Sequence, residues 1–143
     1  MRPSPDLILV QAATPGPGAE WTYTLPAALG QLVITMVHAL LTTSAGSAAV
    51  RDPNLVISDP SGNTKARACS AAGLTGSLIS GVTKRFVWGQ TGAAYTSSDA
   101  LTEHLPLQQA YCRGDDVVRV ETTDLQATDQ WSEVFIWFER FQP

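Results

Sequence analysis

Histidine, cysteine and paired carboxylates carry most acid–base and nucleophilic chemistry, and this chain has only two histidines and two cysteines. His38 lies among apolar neighbours in a strand-like run, where a hydrogen-bonded core or interface histidine is expected. His104 follows Glu103 in what reads as a loop, a solvated surface pair. Cys69 and Cys112 lie too far apart, and too far from the histidines, for a zinc spacing. The apolar run at 7–10 is too short for a secretory leader, and Pro3, Pro5 and Asp6 precede it, so two free thiols are expected rather than a disulfide. The serines have no G-x-S-x-G context. Gly73, Gly76 and Gly81 lack the strand-to-helix setting of a phosphate loop.

The acids gather at Asp115, Asp116, Glu121, Asp124 and Asp129. Glycoside hydrolysis would need two of them facing each other across a cleft, and calcium would need several converging oxygens. Capping of the turn between the last two strands by Asp124 and Asp129 is the simpler expectation. Arg113-Gly114-Asp115 spells an integrin-type tripeptide that a turn explains equally well. The expectation is therefore a protein that is not an enzyme and has no cofactor and no metal.

The elements that must position these residues are strands. Residues 20–25 (EWTYTL) and 84–90 (KRFVWGQ) alternate in period two. Residues 31–43 are apolar on both faces, with Leu32, Ile34, Met36, His38 and Leu40 on one and Val33, Thr35, Val37, Ala39 and Leu41 on the other. Such a strand is central or has its outer face covered. Residues 54–58 and 64–70 flank DPSGN, a hairpin signal. Residues 105–107 with 110–112 suggest a short edge strand. Pro3, Pro5, Pro15 and Pro17 mark residues 1–19 as an extended arm, paired with its own sheet or lying on a neighbour.

Residues 113–143 close the chain and dominate it. Residues 117–122 and 131–141 read as two strands of a hairpin joined by a polar loop. In the last strand Ser132, Val134, Ile136, Phe138 and Arg140 point one way, the expected core. Trp131, Glu133, Phe135, Trp137, Glu139 and Phe141 point the other. The large aromatic residues Trp131, Phe135 and Trp137 on that odd face suit a subunit interface, with a second core layer or a sugar-stacking platform as alternatives. Together with Leu7, Ile8 and Leu9 of the arm, Trp131, Phe135 and Trp137 form the candidate interface set.

The expected fold is all-β: an antiparallel, jelly-roll-like β-sandwich of about seven or eight strands over residues 20–143, preceded by the arm at 1–19. Charged residues make up 15% of the chain and the net charge is −4. The charged share is well below the usual ~25%, which suits a surface hidden in an assembly. The acidic balance carries no nucleic-acid footprint, and no apolar run is long enough to span a membrane.

Three segments resemble a group of small β-sandwich virion proteins of tailed bacteriophages: W-T-x-T-x-P-A at 21–27, L-T-T-S-A followed by R-x-P-x-L-x-I across 41–57, and T-x-L-Q-x-x-D-Q-W-S at 123–132. The stretch 27–31 departs from the pattern, which usually carries a glycine and basic or aromatic residues after P-A. The resemblance implies a virion location and a role in capsid decoration (cement), or in the neck, tail or head fibre. It also implies a homo-oligomer, a trimer by expectation, bound to the major capsid protein or other virion proteins. A carbohydrate- or receptor-binding module is the alternative.

Overall fold

Alternating β-branched and aromatic residues favour strands because such side chains pack well on a pleated, half-buried surface. The computed structural model describes residues 6–46, 49–68, 81–89, 95–96 and 101–140. Among them are eleven strands: Asp6–Gln11 (β1), Thr22–Thr24 (β2), Gln31–Thr42 (β3), Asp52–Ser58 (β4), Thr64–Arg67 (β5), Thr83–Gly89 (β6), Tyr95–Thr96 (β7), Thr102–Pro106 (β8), Ala110–Arg113 (β9), Val117–Thr123 (β10) and Gln130–Arg140 (β11). The described residues contain one short 3-10 turn, at Ala27–Leu29, and no helix long and apolar enough to cross a membrane.

Two sheets pack face to face. The larger has the order β1-β11-β3-β6-β8-β7, with β9 pairing the start of β3 where β6 does not reach. The smaller has the order β2-β10-β4-β5. Every pairing is antiparallel except β6 with β8, which run parallel. The fold is thus a mostly antiparallel β-sandwich. Its inner layer takes Ile34, Val37, Leu41, Trp88, Ile136 and Phe138 from one sheet and Leu55, Ile57, Val118 and Val120 from the other, all at most 2% exposed. Each such large apolar side chain contributes roughly 1.5–3 kcal/mol relative to exposure.

Several expectations change. β10 and β11 are not a hairpin: β10 pairs β2 and β4, β11 pairs β1 and β3, and the polar loop between them carries the chain from one sheet to the other. The DPSGN hairpin does form, with β4 beside β5, and Asp59 Oδ1 accepts from the Ser61 and Asn63 amides. Of the edge strand expected at 105–107 with 110–112, the first part belongs to β8, interior to the larger sheet between β6 and β7, while the second is β9, which among the described residues pairs with β3 alone. Within the arm, β1 pairs with the chain's own sheet through six register positions against β11. Cys69 lies outside the described residues, while Cys112 is a buried free thiol. Burial, and then the nearby Asp116 charge, pushes that thiol up to about 12, so it is no nucleophile at neutral pH.

The tripeptide at 113–115 has a structural account. Asp116 accepts the Arg113 amide through Oδ2 (2.9 Å), and a Cβ at Gly114 would lie 2.6 Å from the backbone of Ala27. Only glycine allows this approach. Gly114→Ala is expected to cost about 1–3 kcal/mol through overpacking, read as a lower urea midpoint with an unchanged slope.

Candidate interaction face

The two outer faces of the sandwich differ in chemistry. On the smaller sheet Arg119 bonds Glu121 (2.9 Å) and Ser58, and Arg67 bonds Glu121 (2.6 Å). Thr22 and Thr24 fill the adjoining edge strand. That face is polar and internally paired, as a solvated surface should be.

The larger sheet presents a different face. Register places Leu9 beside Trp137 and Trp137 beside Met36. The next row runs Gln11, Phe135, His38, Val87, His104. His38 stacks on Phe135 with ring centroids 5.9 Å apart, and Phe135 lies 6.2 Å from Trp137. Leu7 and Leu9 are 66% and 54% exposed at the rim, and Tyr111 is 66% exposed further along. A shallow depression of about 350 Å³ sits between Met36, Trp137, Val87 and the polar side chains of His38, Arg85 and His104. Burial, and then the positive charge of Arg85, holds the His38 imidazole below its ordinary value, partly offset by Glu133.

Two β-bulges decide which residues reach this face. Between Ser132 and Phe135 strand β11 advances three residues while β3 advances two. Glu133, at φ 48°, takes the strained left-handed backbone that absorbs the extra residue. Alternation therefore reverses, and Trp131 joins Val134, Ile136 and Phe138 in the core at 0% exposure. A second bulge on β3, where Thr35 donates to the Trp137 carbonyl at 3.2 Å, moves Val37, Ala39 and Leu41 inward and leaves Met36, His38 and Leu40 outward.

Of the candidate interface residues, Leu7, Leu9, Phe135 and Trp137 thus meet on one surface. Trp131 does not, because of the bulge, and Ile8 does not, because its side chain packs against the core. His104 and Glu103 are no surface pair. On a strand, neighbours point to opposite faces, so His104 lies outward and Glu103 is buried against Lys84. Periodicity alone missed Met36, Val87 and Tyr111, since their place depends on strand order.

The carboxylates serve the architecture. Asp129, fully buried, accepts from the Ser44 amide (2.8 Å) and hydroxyl (3.0 Å), from the Gln126 amide (2.8 Å) and from Arg51 at Nε (2.8 Å) and Nη2 (2.9 Å). Burial alone would raise its carboxyl, but Arg51 and these donors outweigh that and hold it at about 2. It caps the turn, as expected, and also clamps the β3–β4 loop to the start of β11. Nearby, Glu20 accepts from the Thr122 hydroxyl (3.0 Å) and the Trp131 indole (3.0 Å). Asp124 only turns the chain, its backbone at φ 53°. Among the described residues no three His, Cys, Asp or Glu side chains converge as a metal site.

Parts of the clamp lie in the segments that carried the resemblance. Trp21, Ser44, Arg51, Asp129 and Trp131 all fall within them, and the side chains of Ser44, Arg51 and Asp129 bond to one another. Their residue types are those the architecture requires. No family model matches the chain, and neither the curated proteins nor the solved structures contain a match.

Proposed function

We propose that this chain is a virion structural protein of a tailed bacteriophage. It acts without catalysis, as a capsid decoration protein that adheres through the outer face of its larger sheet to the major capsid protein and to copies of itself. The observation that carries this reading is the contrast between the two outer faces. One is an internally paired polar surface. The other has Leu7, Leu9, Met36, Phe135 and Trp137 on one surface, and a contiguous apolar patch of this kind marks an interaction site. The low charge content and the three resembling segments support the same reading. A jelly-roll arrangement of the strands belongs to this proposal.

The mechanism is adhesive. Docking removes the leucines and aromatic rings from water, and Arg85, His38 and His104 at the rim of the depression set orientation. Purified protein is tested against undecorated particles by co-sedimentation. The double variant Phe135→Ser/Trp137→Ser is expected to bind at least about tenfold more weakly while keeping its folded near-ultraviolet spectrum. Undiminished binding by the folded variant overturns the proposal.

The depression beside Trp137 favours one second reading, a carbohydrate-binding module in which the indole stacks on a sugar ring. In that case glycan titration quenches the Trp137 fluorescence, and capsids are not bound.

A further inference from the structure

The larger sheet ends on β1, which among the described residues has a strand on one side only. The ladder fixes where its backbone groups point. The Ala12 amide donates to the Val134 carbonyl at 3.0 Å, in register with the β1–β11 pairs. In an antiparallel ladder alternate residues bond to alternate sides. Ile8, Val10 and Ala12 therefore serve β11, and the N–H and C=O groups of Leu7, Leu9 and Gln11 point away from it. These three residues are also the ones with exposed side chains on the outer face.

Natural edges of this kind are blunted by lysine, proline or a bulge. β1 carries none of these between Leu7 and Gln11, and its one charge, Asp6, stands at its start. Its amide-rich apolar edge is a template for another strand.

We propose that the open edge of β1 pairs with β1 of a second copy, antiparallel, about a two-fold axis at Leu9. Opposed residues in an antiparallel pair put their side chains on the same face. An incoming strand must therefore bring its outward backbone groups on the residues that share the outer face. A second β1 does so by symmetry. With Leu9 opposite its own copy, Leu7 falls opposite Gln11, and all three outward residues of each strand are used in about six hydrogen bonds. No charge meets a like charge, since the two Asp6 side chains lie at opposite ends of the pair. The Met36–Trp137–Leu9 row of one copy then continues into the same row of the other, joining two apolar faces into one. The contact is isologous, so it gives a two-fold assembly in place of the trimer implied by the resemblance. It stands on the edge geometry and not on the virion role.

Residue-resolved hydrogen exchange on the full chain, alongside native mass, tests this. The amides of Ile8, Val10 and Ala12 should be protected at every concentration. Those of Leu7, Leu9 and Gln11 should gain protection only at concentrations where the mass is that of a dimer. Leu9→Pro removes an outward donor without touching the β11 ladder, a position where an edge strand tolerates proline. It should weaken the dimer at least about tenfold. Leu9→Lys, which sets like charges against each other on the axis, should do the same with the backbone intact and covers the case in which the proline variant does not fold. A monomer at high micromolar concentration overturns the inference. So does a dimer in which Leu7, Leu9 and Gln11 exchange freely, or one that both variants leave intact. Protection of those amides in the monomer also overturns it, since the chain would then cover its own edge. Phe135→Ser/Trp137→Ser should lose particle binding and keep the amide protection, so the two proposals fail separately.

Discussion

Trp131→Ala is expected to lose roughly 3–5 kcal/mol of folding stability, and Trp137→Ala far less, although the two residues share a strand and the same parity. Trp131 is fully buried, with its ring 5.9 Å from Phe86 and its indole N–H on Glu20. Removing it leaves a cavity that the flanking sheets close only in part, the condition under which large-to-small changes cost most. It also takes one donor from Glu20, whose carboxyl burial already raises above its ordinary value. Trp137 stands half-buried on the outer face and loses mainly surface contacts with Phe135 and its neighbours. Urea titrations of the two variants should differ in midpoint by several times the error of extrapolation. Particle binding should follow the opposite order: reduced for Trp137→Ala and unchanged for Trp131→Ala measured below its transition. Equal midpoints would mean that the bulge at Glu133 does not turn Trp131 into the core.

That bulge marks the limit of what the sequence could reveal. Strand identity was legible wherever branched and aromatic residues alternate, so β2, β3, β4, β6, β10 and β11 fall near their expected places. The β4–β5 turn was legible because Asp59, Pro60 and Gly62 are demanded by its geometry. The facing of Trp131 was not legible, because a strict period of two carries no record of an inserted residue, and Glu133 has no glycine to announce its positive φ. Pairing was not legible either. A polar loop between two strands fits a hairpin and a sheet-to-sheet crossing equally well, and what separates them is the buried clamp, made by Arg51 far away in sequence. Half of the interaction face could be named in advance from β1 and β11. Met36, Val87 and His104 reach it only because β3, β6 and β8 happen to be neighbours.

The clamp gives the second large effect. Arg51→Leu is expected to destabilise the fold by roughly 3–5 kcal/mol, because it leaves the buried Asp129 carboxylate without its cation. Both side chains are fully buried, so solvent screening does little to soften the loss. The pH dependence follows from the carboxyl held at about 2 in the fold against about 3.9 for an unfolded aspartate. A depressed acid contributes stability that is complete above the unfolded value and is lost as pH falls through the folded one. Wild type should therefore lose the Asp129 contribution between about pH 4 and pH 2. In Arg51→Leu the depression is smaller, and the stability gap between the two proteins should narrow across that window. Arg51→Leu/Asp129→Leu should recover only part of the loss. It removes the stranded charge but orphans the Ser44 and Gln126 amides that Asp129 accepts, and each buried unpartnered donor costs about 1–3 kcal/mol. Denaturant titrations of wild type, Arg51→Leu, Asp129→Leu and the double variant at a series of pH values measure the coupling as a double-mutant cycle. A gap independent of pH would show that the ion pair does not hold Asp129 ionised, and the clamp would then stabilise through its amide bonds alone.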